Sequence, residues 1–139
     1  MRLFSKRVRN GIKICSEYFD DYRSAFDCGK TVDYERYEWR SRPEKCGPLA
    51  VFENVREAVD FLVSCGWLEV YDEKIDYSES NGEYRKVLFK CKYKKSKDVD
   101  LWDEYCEMSS NELPRGTILA DEVMILEMIE WNDVRVDWR

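Results

Sequence analysis

A short strand that leads into a capped helix at residues 49–66 constrains the fold of this chain more than any other feature. Leu49–Phe52 is an apolar run that follows Gly-Pro. Asn54 is a preferred N-cap residue, and Glu57 three positions later completes a capping-box-like start. Gly66 fits the position just after a helix end. The apolar residues between them recur on one helical face: Val55, Ala58, Val59 and Leu62. We therefore predict a buried strand at 49–52 and one main helix at about 54–65.

Residues 84–94 alternate between apolar and basic side chains, which is the period of a strand. Leu88 interrupts the basic set. One face holds Val87, Phe89, Cys91 and Tyr93, and the other holds Lys86, Lys90, Lys92 and Lys94. This pattern predicts a strand with one buried and one solvated face. Residues 67–77 also alternate, and Asn81-Gly82 is a strong hairpin signal. We predict that these two segments pair as a hairpin.

The remaining segments complete an α+β prediction. Ile12 and Ile14 alternate with Lys13 as in a strand, residues 19–23 are polar like a loop, and residues 24–26 suggest a short strand. We predict a long, partly ordered connection at 30–48, a short helix at 99–108, and a strand in the first half of 117–131, where a helix is the alternative. The tail at 132–139 adds an edge strand or frays. Strands outnumber helices, so a mostly antiparallel or mixed sheet should carry the main helix on one face.

Length and composition restrict the function classes. A chain of 139 residues predicts a single domain over residues 1–139, with a basic N-terminal end. Histidine is absent, which excludes Ser-His-Asp and Cys-His catalysis and His-ligated zinc. The sequence has no Walker loop, GxGxxG or CxxC motif. We therefore predict no catalytic, cofactor-binding or metal-binding residues and no cofactor, and we favour a binding protein over an enzyme.

The compartment prediction rests on the N-terminus and the cysteines. The basic first nine residues lack the apolar core of a secretory signal. No apolar run is long enough to span a membrane. We predict a cytoplasmic protein whose six cysteines are mostly buried free thiols, with Cys28 and Cys46 nearest to solvent because both precede turns. A disulfide framework is the alternative.

Two stretches are candidate contact surfaces. Residues 34–42 combine aromatic residues with arginines, the residue types that dominate interface hot spots. The predicted partner-binding residues are Tyr34, Arg36, Tyr37, Trp39, Arg40 and Arg42. The alternative is a loop that folds its aromatic rings over the core. The lysine-rich strand face could track phosphates, but Phe89 and Tyr93 point away from the lysines and the pI is near 4.9. A protein partner is therefore favoured over nucleic acid.

Two blocks of sequence resemble small uncharacterised proteins of prokaryotic and phage genomes. Those proteins pair a GPL-V/C-F strand-helix unit with a late LP-GT-LAD-V strand, as residues 47–53 and 113–123 do here. The resemblance implies a phage or mobile-element origin and no established activity. One version of this hypothesis is a protein that blocks a host protein.

The predicted order of strands and helix also resembles ADP-ribosyltransferase-like folds. That resemblance implies a nucleotide-binding or ADP-ribosyltransferase-like protein as an alternative function. Members use Arg, Ser-Thr-Ser and Glu-x-Glu, or His, Tyr and Glu, and this chain has no Ser-Thr-Ser, Glu-x-Glu or His. A fold likeness does not imply a function. The leading hypothesis is thus a small binding protein that contacts a protein partner, with the lysine-rich strand as a second alternative for nucleic acid.

Overall fold

The computed structural model describes residues 7–24, 31–71, 74–76, 85–102, 107–108 and 113–134. It confirms the α+β prediction, because a single antiparallel sheet of seven strands carries one helix alongside. The strands of this sheet are β1 (Val8–Tyr18), β2 (Asp21–Ser24), β3 (Asp33–Tyr34), β4 (Trp39–Ser41), β5 (Leu49–Phe52), β8 (Lys86–Lys95) and β11 (Thr117–Ile129). Two further two-stranded sheets pair β6 (Glu69–Tyr71) with β7 (Lys74–Asp76), and β9 (Leu101–Trp102) with β10 (Glu107–Met108).

The main sheet closes on itself. Strand β8 pairs along most of its length with β1 on one side and with β11 on the other. Strand β5 also pairs with both β1 and β11, so that these four strands form a ring. Strands β2 and β3 extend the sheet from the second half of β1, and β4 pairs with the middle of β11. Because the ring has an inside and an outside, each strand of it presents one face to an enclosed core.

The enclosed core contains the alternate residues of β8 that the sequence assigned to the buried face. Val87, Phe89, Cys91 and Tyr93 are all at most 4% exposed. They pack with residues of the other strands: Cys15, Tyr34, Leu49, Val51, Ala120, Val123 and Ile125. Position 11 of β1 has no room for a side chain, since a Cβ there would lie 3.0 Å from the Phe52 carbonyl oxygen. The strands approach closely at this point because residue 11 is glycine.

Helix α1 (Val55–Ser64) covers part of the outside of the ring. The side chain of Asn54 accepts a hydrogen bond of 2.9 Å from the Glu57 backbone N–H, as the predicted cap requires. The buried face of the helix is Ala58, Val59 and Leu62. It packs on the outward-facing sheet residues Ile12, Ile14, Phe52 and Leu88, and on Trp131 of the short 3-10 turn Trp131–Asp133. The strand at 49–52 and the helix therefore lie where the sequence predicted them.

The predicted hairpin between residues 67–77 and 84–94 is wrong. Strand β8 pairs with β1 and β11, whereas β6 turns back to pair with β7 within the same predicted segment. The Asn81-Gly82 signal lies outside the described residues. The hydrogen-bonding partners of β8 are the long strands β1 and β11, which lie far away in the sequence. The residues of a local turn carry no information about such distant partners.

Two shorter predictions are also corrected, those for residues 99–108 and 19–23. The segment 99–108 is not a helix in its described parts, because residues 101–102 and 107–108 are paired strands. Residues 19–23 are not a loop, since β1 reaches Tyr18, turns at 19–20 and returns as β2. Of the predicted strand at 24–26, Ser24 ends β2 and the rest lies outside the described residues. Strand β11 extends from Thr117 through Ile129, so the first half of the segment 117–131 is a strand, as predicted, and not the alternative helix.

Candidate binding surface

The outside of the ring carries a surface that α1 leaves open, and three strands build it. Residues paired across antiparallel strands point to the same side of a sheet. Lys92 of β8 pairs with Met124 of β11, and Met124 pairs in turn with Trp39 of β4. Trp39 therefore shares the outward face of β8 with Lys90, Lys92 and Lys94. We call these five residues, Trp39, Lys90, Lys92, Lys94 and Met124, the Trp39–lysine face.

A tryptophan and a lysine from separate segments meet on this face. The Lys94 Nζ lies 4.8 Å from the centroid of the Trp39 ring, a cation–π contact. The same Nζ forms an ion pair of 3.2 Å with Glu122, its cross-strand neighbour. The sequence had placed Trp39 and Lys94 on two different candidate surfaces, and the sheet register brings them onto one.

Two lysines of the face, Lys90 and Lys92, differ from Lys94 in their ion pairing within the described residues. Among the described residues, none forms an ion pair with Lys90 or Lys92. Lys90 is exposed and Lys92 is half-buried. The face therefore carries a net positive charge, although the whole chain carries −6.

A groove of about 380 Å³ adjoins the face at Lys90, which is one of its lining residues. Its walls are largely apolar and include Ile12, Val55 and Leu126. Lys90 of β8 and Glu53, which directly precedes the N-cap Asn54 of α1, are charged residues of its lining. The groove is thus suited to an apolar side chain that arrives along the lysine row.

The structure places the six predicted partner-binding residues in different surroundings. Tyr34 is only 2% exposed and belongs to the enclosed core, so its ring cannot meet a partner. The Arg36 guanidinium lies 5.4 Å from the centroid of the Phe89 ring. Tyr37 is 58% exposed in a turn, with a positive φ of 67°. Only Trp39 of the six lies on the Trp39–lysine face.

The other two predicted arginines are held by contacts within the protein. Arg40 donates a hydrogen bond of 3.0 Å to the Asp33 carbonyl and pairs with Glu38 at 3.5 Å. Arg42 pairs with Asp98 at 2.5 Å and with Asp121 at 3.8 Å. These contacts join the 34–42 segment to β3, to β11 and to Asp98.

Lys86 also differs from the rest of the predicted basic strand face. Its Nζ donates a hydrogen bond of 2.8 Å to the Ser16 hydroxyl and lies 3.9 Å from the centroid of the Trp67 ring. Lys86 therefore joins β1, β8 and the segment after α1, whereas Lys90 and Lys92 remain accessible.

Sequence reasoning missed a buried lysine. Lys13 is 1% exposed, although its alternation with Ile12 and Ile14 gave it the polar side of a strand. Its ammonium donates a hydrogen bond of 2.8 Å to the Ala50 carbonyl and lies 5.2 Å from the centroid of the Tyr34 ring. Both faces of β1 are buried here, because the ring interior covers one and α1 covers the other.

The described cysteines carry free thiols: Cys15, Cys46, Cys65 and Cys91. Cys46 is buried, contrary to the solvent-near position predicted for it, and Cys28 lies outside the described residues. Burial raises the pKa of the Cys91 thiol to about 12, although the nearby charge of Lys13 opposes this shift. Cys91 is therefore a neutral core side chain and not a nucleophile.

Comparisons with known proteins assign no role to this surface, so its interpretation rests on its geometry. No protein-family model, curated protein or solved structure matches this chain. Within the ranges that the structure describes, no three Cys, Asp or Glu side chains are grouped as metal ligands would be. In the same ranges, no helix has the length and apolar character needed to cross a membrane.

Proposed function

We propose that this protein is a binding protein that contacts an acidic surface of a partner protein through the Trp39–lysine face. The observation that carries the proposal is the shared outward face of Trp39 and the lysine row, which the cross-strand pairs of Met124 establish. Cations that no acidic side chain neutralises attract an acidic partner and orient it.

The composition of the face fits a protein contact. Tryptophan and methionine are enriched at interfaces, and a buried aromatic anchor commonly supplies much of the binding free energy. Trp39 and Met124 are half-buried in the free protein, so a partner can still remove apolar surface from water there. Lys90 and Lys92 beside them would steer the approach of an acidic surface.

Single-stranded nucleic acid is the second candidate, and one observation favours it. An aromatic ring on a lysine-bearing face is the combination that such binders use for stacking and phosphate contact. Phe89 and Tyr93 are buried inside the ring of strands, yet the indole of Trp39 lies on the same side as the lysines. The acidic charge of the whole chain still favours a protein partner.

Capture from lysate of the source organism, with and without nuclease, tests the proposal. Lys92→Glu and Trp39→Ala should each lose the partner that the wild-type protein retains. Lys45→Glu is the matched control, because Lys45 is exposed on the connection between β4 and β5 and has no place on this face. Equal retention by Lys92→Glu and Lys45→Glu would contradict the proposal. Loss of the partner after nuclease treatment would favour nucleic acid instead.

The proposed location is the cytoplasm. Four free thiols among the described cysteines fit a reducing compartment. Fractionation of source cells, with thiol labelling under native conditions, tests this; recovery of the protein outside the cytoplasm with oxidised cysteines would contradict it.

A further inference from the structure

We infer that the partner presents an extended segment with acidic side chains at alternate positions, which lies along the lysine row of β8 and ends with an apolar side chain in the groove beside Lys90. This inference rests on the proposed function and names the chemistry that the Trp39–lysine face would recognise.

The spacing of the lysines supports an extended ligand. Lys90, Lys92 and Lys94 occupy alternate positions of one strand, so their Cα atoms repeat at about 6.6–6.8 Å. An extended peptide places its own alternate side chains at the same repeat. Acidic side chains at alternate positions of such a segment can therefore face Lys90 and Lys92 together and extend toward Lys94, whereas a helix would bring its side chains into a different period.

Glu122 shows how an acidic side chain occupies the row. It reaches Lys94 from the neighbouring strand and pairs with the ammonium at 3.2 Å. Among the described residues, Lys90 and Lys92 have no such neighbour, so the unfilled part of the row lies toward the groove. An incoming acidic segment would complete the pattern that Glu122 begins.

The groove selects the end of the segment. Its apolar walls at Ile12, Val55 and Leu126 favour an apolar side chain. Glu53, which also lines the groove, would repel a carboxylate placed there. Strand β8 is paired with β1 throughout this stretch and with β11 except at the register shift opposite Lys90, so the ligand contacts side chains and does not add a strand. Binding should then be moderate and strongly dependent on salt.

Fluorescence anisotropy with labelled synthetic peptides and the full chain tests this inference. The spaced peptide is Leu-Ser-Glu-Ser-Glu-Ser-Glu-Ser-Leu, and its isomer of equal composition is Leu-Ser-Ser-Glu-Glu-Glu-Ser-Ser-Leu. The spaced peptide should bind about threefold or more tightly than the isomer, because the isomer can direct fewer glutamates to the row. Lys92→Glu should weaken the spaced peptide about tenfold, and Lys45→Glu should leave it unchanged.

Equal affinity for the two peptides, or no binding of either, would overturn the inference. Tighter binding of an oligothymidylate of the same length would overturn it in favour of nucleic acid. If the peptides fail while capture of a partner remains sensitive to Lys92→Glu, the alternating segment is wrong and the proposed function stands. If capture is insensitive as well, both fail.

Discussion

The Lys13 ammonium donates a hydrogen bond of 2.8 Å to the Ala50 carbonyl across the point where β1 and β5 diverge. The two strands share a single paired position, Ile12 with Phe52, before β1 turns toward β2. The lysine side chain thus continues the contact between the strands where the backbone ladder ends. The Tyr34 ring beside the ammonium stabilises the buried charge.

Truncation of this lysine should destabilise the protein. Lys13→Ala removes the bond to Ala50 and leaves a cavity in the core, which should lower the free energy of unfolding by about 2–4 kcal/mol. Lys13→Met keeps most of the aliphatic volume without the charge, so it should lose less. Urea denaturation at neutral pH measures both. An alanine variant as stable as the wild-type protein, or one more stable than the methionine variant, would show that the Lys13 side chain does not stabilise the contact between β1 and β5.

Burial of Cys91 should make the protein less stable at alkaline pH. The pKa of its thiol is about 12 in the folded protein, against an ordinary value of 9.0. Above about pH 9 the unfolded chain therefore releases this proton while the folded protein keeps it. The folding equilibrium constant should fall by about tenfold per pH unit between these two values because of this group.

Comparison of slopes isolates this contribution from other groups that titrate in the same range. The free energy of unfolding of Cys91→Ala should fall less steeply between pH 9 and pH 11 than that of the wild-type protein. The difference between the two slopes should correspond to the release of one proton on unfolding. Native alkylation followed by mass spectrometry gives a second readout, in which exposed Cys65 reacts and Cys91 does not. Parallel slopes, together with rapid alkylation of Cys91, would contradict its buried position.

The elements that the sequence predicted correctly are those whose determinants lie close together in the chain. The N-cap at Asn54, the apolar stripe of α1 and the alternation of β8 each need only local residues. The ring could not be predicted in the same way, since β5 closes it through partners 40 and 71 positions away, as the pairs Ile12 with Phe52 and Ala120 with Leu49 show. Closure of the ring also explains why Lys13 is buried. Alternation of polar and apolar residues predicts a solvated face only where one side of a strand is exposed to water.

The candidate surface was predicted in pieces. The lysine row and Trp39 were each identified from composition and periodicity, but on separate surfaces. Their meeting depends on the register of β4 and β8 against β11, which fixes Trp39 opposite Met124 and Met124 opposite Lys92. Register between strands so far apart in the chain has no local signal.

Tyr37 should be a position where glycine is more stable than alanine. Its φ of 67° lies in the left-handed region, which costs a residue with a Cβ about 1 kcal/mol and costs glycine little. At ordinary positions the order is reversed, because glycine gains more entropy on unfolding. Tyr37→Gly should therefore exceed Tyr37→Ala in melting temperature.

Lys97 provides the matched comparison for Tyr37. It is exposed, and it is not among the described non-glycine residues with a positive φ. Lys97→Ala should be at least as stable as Lys97→Gly. The same order of alanine and glycine at both positions would show that Tyr37 is not strained in solution.

Removal of the Glu122 charge should strengthen binding of an acidic ligand. Glu122 pairs with Lys94 at 3.2 Å and so competes with any acidic side chain for that ammonium. Glu122→Gln keeps the shape of the side chain, and the affinity for the spaced acidic peptide should rise about two- to fivefold at low salt.

Glu130→Gln is the control, because Glu130 is exposed beyond the end of β11 and its substitution changes the net charge equally. The gain at Glu122 should shrink at high salt, where exposed ion pairs are screened. An equal gain from both variants would mean that only the net charge matters, and that Lys94 is not part of the binding row.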